Sequence, residues 1–158
     1  LGGSVYYDIF NETGANVPKI DFEEHKKLVY AVIECIENGL LLSCHDISDG
    51  GMFTSIAEMI LGGNADGRIG AAIDFNYPYL RNDKIFFGES PGFVFEVEKK
   101  NTAEVQNVFQ KHKLFAHILG KTSNEKKLTI INSKKKIIDL LIEEMKQAWA
   151  TGFVEALR

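Results

Sequence analysis

The sequence contains only two cysteines and no long apolar run, and each shortage excludes a class of protein. Cys35 and Cys44 alone cannot form the disulfide framework of a small secreted domain or a zinc site, which favours reduced thiols in a cytoplasmic protein. No apolar stretch approaches the roughly 18 residues that a membrane-spanning helix requires. The sequence also lacks a P-loop, a dinucleotide-binding GxGxxG motif after a strand, and the GxSxG and HExxH motifs of hydrolases.

The charge balance is mildly acidic and excludes two kinds of partner. Lys and Arg together number 18 against 22 Asp and Glu, so the net charge is −4. A dedicated nucleic-acid binder gains affinity by neutralising phosphates, and an anionic membrane surface recruits basic segments. We therefore expect neither nucleic acid nor membrane among the partners.

The length of the chain and its first residues bear on domain organisation. The 158 residues correspond to one domain of ordinary size. Leu1-Gly2-Gly3-Ser4 has neither the basic nor the apolar region of a signal peptide, and the chain does not begin with Met. We expect residues 1–158 to be a single domain that belongs to a longer chain.

Hydrophobic periodicity predicts strands mixed with helices, without strict alternation of the two. Asp21 is a predicted N-cap with Glu24 three residues later, and this pair opens a helix that runs to about Asn38. Strands are predicted at 40–43, 69–75, 93–97, 116–119 and 128–132. Further helices are predicted at about 51–62, at 101–111, and from Ser133 onward, where an apolar stripe is formed by Ile137, Leu141, Met145, Trp149 and Phe153. The predicted fold class is α+β, a layered sandwich of a mixed sheet with helices.

The densest polar cluster is the loop HDISDGG at His45–Gly51, between an apolar run and a predicted helix. Its two glycines allow a ligand to approach the backbone, and free amides at a helix N-terminus favour an anion such as phosphate. Alternatively, Asp46 and Asp49 are the kind of carboxylates that Mg²⁺ takes together with substrate phosphates. A purely structural interpretation also stays open, in which Ser48 or Asp49 caps the helix and the His45 imidazole has its hydrogen-bond partners in the core.

A second polar cluster, FGESPG at Phe87–Gly92, precedes the predicted strand at 93–97. Glycine and proline make this a rigid turn from which Glu89 and Ser90 project, although such residues also suit a plain connecting turn. Neither cluster supplies a convincing nucleophile–base pair, since the sequence adjacency of Cys44 and His45 does not create one.

The motif HDISDGGM at residues 45–52 resembles the HDxSDGGL segment of phosphoribosylformylglycinamidine synthase, the large synthetase of purine biosynthesis. Other matches follow in the family's order. Leu1–Ser4 resembles its LGGS, Ala57–Met59 its AEM, Phe87–Ser90 its FGES, and the closing helix with Ala148-Trp149 its C-terminal end. The resemblance covers nearly the whole chain.

This resemblance implies a fold like the C-terminal domain of aminoimidazole ribonucleotide synthetase, as the last of four domains in a duplicated protein. It implies an ATP-dependent carbon–nitrogen ligase that is incomplete for catalysis in this chain alone. In the family, ATP and Mg²⁺ activate the formyl amide oxygen of formylglycinamide ribonucleotide, and ammonia then displaces phosphate to give the amidine. The implied partners are the other synthetase domains, a glutaminase subunit or domain and a small accessory subunit, all cytoplasmic.

The resemblance assigns no catalytic residue here, because the family's catalytic histidine and most ATP and Mg²⁺ ligands belong to another domain type. Pro91 stands where the family often has glutamine and Phe93 where it has arginine, which removes a bidentate phosphate donor. The matching residues are expected to line a substrate or nucleotide cleft, and they are His45, Asp46, Ser48, Asp49, Gly50, Gly51, Glu89 and Ser90.

Two other hypotheses remain open at the level of sequence. The chain resembles other members of the same superfamily, aminoimidazole ribonucleotide synthetase and selenophosphate synthetase. The latter needs an N-terminal Cys or selenocysteine and a Gly/Lys-rich loop, neither of which is visible in this sequence. A non-catalytic scaffold would instead use exposed aromatic residues, for which the candidates are Tyr6, Tyr7, Tyr77, Tyr79, Phe86 and Phe87, all equally suited to a core.

Overall fold

The structure, a computed structural model, describes residues 1–63 and 69–156, and its helices and strands confirm the α+β class. The helices are α1 (Val5–Asp8), α2 (Phe22–Glu37), α3 (Gly51–Gly62), α4 (Asn82–Phe87), α5 (Thr102–Lys111) and α6 (Ile142–Ala156). The strands are β1 (Leu41–Asp46), β2 (Gly70–Phe75), β3 (Phe93–Val97), β4 (Gly120–Ser123), β5 (Lys127–Asn132) and β6 (Lys135–Leu141). Among the described residues, no helix combines the length and the apolar character needed to cross a membrane.

The described chain groups into two compact units, of which the first contains residues 1–56 and 83–117. Its strands β1 and β3 pair in antiparallel fashion, and the helices α2 and α5 contribute the buried residues of its core. These residues are Ala31, Val32, Cys35, Val105, Val108 and Phe109, against which Leu41, Phe93, Phe95 and Val97 of the two strands pack. Cys35, one of the two cysteines, is completely buried in this core.

Helix α2 begins and ends as the sequence predicts. The Asp21 carboxylate accepts hydrogen bonds from the backbone amides of Glu23 and Glu24, both at 3.0 Å. These amides have no acceptor within the helix, so the cap stabilises the first turn. At the other end Gly39 has φ +63°, the left-handed conformation that commonly ends a helix.

The second unit contains residues 57–82 and 118–158, of which residues 64–68, 157 and 158 lie outside the described part. It is built on a four-stranded mixed sheet in the order β4-β2-β5-β6, in which only β2 and β5 run parallel. Strand β5 alternates between partly and fully buried residues, with Leu128 and Ile130 completely buried. This mixed sheet with helices is the architecture that the sequence predicts.

The prediction of a long helix from Ser133 is wrong, because residues 135–141 form β6 and α6 begins only at Ile142. Ser133 and Lys134 both have positive φ, +52° and +66°, which closes a two-residue hairpin between β5 and β6. The apolar spacing suits a helix locally, but pairing with the buried strand β5 prevails. In the predicted stripe Met145 is buried and Trp149 is exposed, whereas the side chain of Phe153 lies outside the described residues.

Two shorter elements also differ from the predictions. The strand expected at 116–119 lies instead at Gly120–Ser123, where it forms an edge of the sheet with mostly exposed side chains. An exposed edge strand needs no apolar residues, so apolar patterning places it wrongly. Helix α4 is a single short helical segment that the sequence analysis missed, because six residues are too few to show a helical period.

A surface ion cluster joins α2 to the end of α5 in the first unit. The Glu34 carboxylate accepts hydrogen bonds from Lys111 Nζ at 2.7 Å and from His112 Nε2 at 2.8 Å. The hydrogen bond from Lys111, followed by that from His112, lowers the pKa of the Glu34 carboxyl below its usual value.

We expect Glu34→Gln to reduce the acid sensitivity of folding. A carboxyl whose pKa is lower in the folded chain contributes its stability above the pKa of the unfolded group and loses it as the pH falls through the folded pKa. The free energies of unfolding of wild type and variant should therefore converge as the solution is acidified below the usual glutamate range. Urea unfolding from about pH 7 to about pH 3 measures this convergence. Glu104→Gln, at an exposed position on α5, is the matched control, and its free energy of unfolding should depend on pH as that of wild type does.

Candidate functional site

Three of the segments singled out by the sequence meet in the first unit, at the carboxylate of Glu89. They are the Leu1–Ser4 segment through Val5, the residue that directly follows it, the His45–Gly51 loop through Gly50, and the Phe87–Ser90 segment that contains Glu89 itself. One oxygen of Glu89, Oε1, accepts a hydrogen bond from the Val5 amide and another from the Gly50 amide, both at 2.9 Å. Residues that are far apart in the sequence are thereby joined at a single atom.

The Leu1–Ser4 segment leads into the short helix α1, and the amide of its first residue, Val5, donates to Glu89. The buried Ser4 hydroxyl donates to the Leu1 carbonyl at 2.7 Å and accepts from the Tyr7 amide at 3.3 Å, which caps α1. The Val5 amide lies in the first turn, where no helical carbonyl is available to it. The Glu89 carboxylate supplies the missing acceptor.

The two glycines at the start of α3 have conformations that other residues rarely adopt. Gly50 has φ +78° and Gly51 has φ +71°. A Cβ atom on Gly51 would lie 2.6 Å from the Phe86 carbonyl oxygen and 2.8 Å from backbone atoms of Phe87. These glycines therefore allow α3 to start directly against the end of α4. In this structure, the close backbone approach at Gly51 is to the chain itself.

Strand β1 was predicted at 40–43 but extends to Asp46, because its backbone continues to pair with β3, so His45 and Asp46 belong to the strand and the loop proper begins at Ile47. Backbone contacts fix the beginning of that loop. The Ile47 amide donates to the Gly92 carbonyl at 2.8 Å. The Ser55 hydroxyl, which is 2% exposed, donates to the Asp46 carbonyl at 2.8 Å. Sequence analysis missed Ser55, and its only signal was a polar residue on the otherwise apolar face of the predicted helix.

Aromatic rings pack around Phe87, which lies two residues before Glu89 in the chain. The ring of Tyr6 stacks on Phe87 with centroids 4.6 Å apart and planes 7° from parallel, and the Phe53 centroid lies 5.5 Å from that of Phe87. Phe86 is completely buried, and Tyr6, Tyr7 and Phe87 are partly buried. These four of the six aromatic candidates thus serve the interior of the first unit at least in part.

The remaining predicted site residues present their side chains to solvent. Asp46, Ser48, Asp49 and Ser90 are exposed. His45 is partly buried, and its Nδ1 donates to the Asp46 carbonyl at 2.7 Å, which requires the tautomer with hydrogen on Nδ1. These side chains are available to a ligand or to a neighbouring protein surface.

The backbone amides of the glycine pair already have acceptors within the chain. The Gly50 amide donates to Glu89, and the Gly51 amide donates to the Ser48 carbonyl at 3.0 Å. An anion bound to the Gly50 amide would have to displace the Glu89 carboxylate. Binding of an anion at the two glycine amides is therefore disfavoured.

Ser90 and Pro91 also line a groove of about 750 Å³ on the surface of the first unit. The start of α2 and the segment around residues 113–117 form its other walls. The charges in this groove are mixed, since Lys19, Lys27 and Lys113 face it together with Asp21, Glu23 and Glu24. The groove therefore shows no preference for one sign of ligand.

The described residues are poorly suited to hold Mg²⁺ by themselves or to supply a reactive thiolate. Among residues 1–63 and 69–156, no group of three or more His, Cys, Asp or Glu side chains is arranged to hold a metal ion. Burial, together with the charge of Asp46, raises the pKa of the Cys44 thiol, which disfavours the reactive thiolate. Asp46 and Asp49 thus offer a cation at most single carboxylates that other ligands must complete.

Comparison with known families identifies the type of domain. The family described as AIR synthase related protein, C-terminal domain, matches residues 1–132. The chain belongs to this family. The matched range of the AIR synthase related C-terminal domain contains all three segments that meet at Glu89.

The curated relatives of this AIR synthase related domain are much longer than the chain itself. A phosphoribosylformylglycinamidine synthase subunit PurL from Methanothrix thermoacetophila is 36% identical over the whole chain, which covers 20% of that relative. The major tegument protein of Epstein-Barr virus is 31% identical over 78% of the chain, which covers 9% of it. The chain therefore spans about a fifth of the length of the synthase relatives that it matches.

Solved structures confirm the fold of this domain. The structure of PurLQS from Thermotoga maritima matches 82% of the chain with a TM-score of 0.71 at 19% identity, and the chain covers 23% of it. Thermotoga maritima PurL in complex with FGAR matches 85% of the chain with the same TM-score, and the chain covers 22% of it. The PurL of that organism has also been solved in complex with ATP.

Proposed function

We propose that this chain is the C-terminal-type domain of an ATP-dependent phosphoribosylformylglycinamidine synthase and that it contributes to the ligase without catalysing alone. The observation that carries this proposal is the convergence of three motif segments on Glu89, within the range that the family matches. The synthase relatives, similar over the whole chain, support the choice of this activity within the family.

In the proposed role, the exposed side chains of the His45–Gly51 loop form one wall of a nucleotide or ribotide cleft shared with a neighbouring domain. Asp49 accepts hydrogen bonds from ligand hydroxyl or amine groups, the Ser48 hydroxyl accepts or donates them, and Ser90 extends the same polar surface. Because no catalytic group is assigned to this chain, these residues bind and orient a ligand whose chemistry is supplied by other domains.

ATP and Mg²⁺ are the proposed cofactors of the whole ligase. The Thermotoga PurL complex with ATP supports the nucleotide. Mg²⁺ would be held mainly by substrate phosphates and by other domains, with Asp46 or Asp49 as the carboxylates that this chain can offer. When bound, the metal would neutralise phosphate charge, while this chain's residues would position the ligand.

The proposed partners are the other synthetase domains, a glutaminase subunit or domain and a small accessory subunit, with the cytoplasm as the location. The similarity to the Thermotoga PurLQS structure and to PurL relatives supports a multi-domain ligase that acts with other subunits. A glutaminase fits the proposed chemistry, since it would release from glutamine the ammonia that supplies the amidine nitrogen.

Asp49→Asn in the intact ligase tests the proposal. We expect kcat/KM for formylglycinamide ribonucleotide or ATP to fall about 5-fold, because Asn keeps an acceptor oxygen but loses the charge, and a hydrogen bond to a charged group is roughly 1 kcal/mol stronger than a neutral one. The substitution removes one charge at an exposed position and should leave the unfolding temperature unchanged. Steady-state kinetics with ammonia as the nitrogen donor measures the effect without the glutaminase.

Glu104→Gln removes an equal charge from the exposed surface of α5 and should leave kcat/KM at the wild-type value. Normal kinetics for Asp49→Asn together with normal stability would contradict a role for this loop in the ligase site.

The second candidate function is a non-catalytic scaffold. The observation that favours it is the similarity to a protein named as the major tegument protein of Epstein-Barr virus. Exposed Tyr77 and Tyr79, which meet edge to face at 5.7 Å, supply an aromatic surface of the kind found at interfaces. A scaffold predicts unchanged kinetics for Asp49→Asn and weakened assembly for a Tyr79→Ala variant.

A further inference from the structure

We propose that Glu89 is a positioning residue, a clasp between the start of α1 and the glycine pair of α3, and that it does not itself contact the ligand. Oxygen Oε1 accepts both the Val5 amide and the Gly50 amide at 2.9 Å. Each of these amides lies where the chain has no helical acceptor to offer. The carboxylate therefore occupies the position in which an anion would otherwise bind.

The clasp determines which groups of the His45–Gly51 loop face outward. The loop is fixed at its beginning by the Ile47 amide on the Gly92 carbonyl and at its end by the Gly50 amide on Glu89. Between these two anchors lie Ser48 and Asp49, both exposed. Losing the second anchor would free the loop end and disorder the pair of side chains that the proposed ligand site uses.

A clasp requires an acceptor oxygen, whereas a ligand-binding or metal-binding carboxylate requires a charge. Gln keeps a carbonyl oxygen at the same reach and is able to accept both amides, although without charge assistance. Ala removes the acceptor altogether. Comparing Glu89→Gln with Glu89→Ala therefore separates positioning from direct contact.

The first measurement is hydrogen exchange with mass spectrometry on the full-length protein, read on fragments that separate Val5, Ile47 and Gly50. We expect Glu89→Ala to accelerate exchange at Val5 and Gly50 by about 5–30-fold, the factor that corresponds to one or two kcal/mol. Glu89→Gln should accelerate it much less. The Ile47 amide, bonded to a backbone carbonyl, should keep its protection in both variants.

The second measurement rests on the proposed function and compares steady-state kinetics of the same variants. We expect Glu89→Ala to lower kcat/KM about 10-fold or more, and Glu89→Gln to recover most of that loss. Glu104→Ala on the exposed surface of α5 is the control and should resemble wild type in both measurements.

Unchanged exchange at Val5 and Gly50 in Glu89→Ala would overturn the clasp. Equal loss of activity in the Gln and Ala variants would also overturn it, because the charge would then be needed at the ligand. If the exchange pattern is as expected but neither variant alters kinetics, the clasp stands and the proposed ligase role of the loop fails.

Discussion

Gly51→Ala is expected to destabilise the chain by about 3 kcal/mol or more, one of the two largest effects that the structure predicts. The left-handed conformation at φ +71° costs a residue with a Cβ about 1–2 kcal/mol. The added methyl would also lie 2.6 Å from the Phe86 carbonyl oxygen, so backbone must move in addition. Urea unfolding of the 158-residue chain measures the loss as a change in the free energy of unfolding.

Substitutions at two other glycines separate the conformational cost from the cost of the steric clash. Gly39 has a similar φ of +63° but nothing within 4 Å of an added Cβ, so Gly39→Ala should cost only the conformational part, about 1–2 kcal/mol. Gly62 ends α3 with open space around it and no positive φ, and its substitution by Ala should be neutral or slightly stabilising. Equal losses at Gly51 and Gly39 would contradict the close approach of α3 to α4.

Local signals in the sequence predicted the elements that carry their own start and stop residues. Helix α2 has a capping carboxylate at Asp21, which acts as predicted, and Gly39, just beyond the predicted end near Asn38, adopts the left-handed conformation that ends a helix. The apolar strands β2, β3 and β5 were also located, because burial gives them a strong apolar pattern. Residues 135–141 were wrongly predicted as helix, because their apolar residues have helical spacing although the segment pairs with β5 as a strand.

In the candidate site, too, individual residues could be recognised from the sequence, whereas contacts between residues far apart in the sequence could not. The His45–Gly51 loop and Glu89 could be singled out individually by residue type and resemblance. Their direct hydrogen bond could not, because Gly50 and Glu89 lie 39 positions apart and the connection depends on how α3 and α4 meet. The Val5 amide has no side-chain signature at all, and only the structure brings it to the same oxygen.

Phe86→Ala is expected to destabilise the chain by about 3–5 kcal/mol, the usual cost of truncating a buried phenylalanine. Phe86 is 0% exposed and is among the largest fully buried side chains of the described residues. The loss combines removal of apolar area from the interior with the cavity that remains. Phe115→Ala is the matched control, because a side chain that is 83% exposed should change the free energy of unfolding by less than about 0.5 kcal/mol.

The Phe86 truncation also tests how the interior supports the clasp. Phe86 supplies the carbonyl that Gly51 faces, and its neighbour Phe87 stacks on Tyr6, which follows the Val5 amide. If the packing of α4 holds the glycine pair in place, the losses of unfolding free energy in Phe86→Ala and Gly51→Ala should not add. Truncation of Phe86 loosens α4, which leaves more room for the methyl group added at Gly51. A double-mutant cycle with a coupling energy above about 0.5 kcal/mol is expected, whereas additive losses would mean that α4 and the glycine pair are stabilised independently.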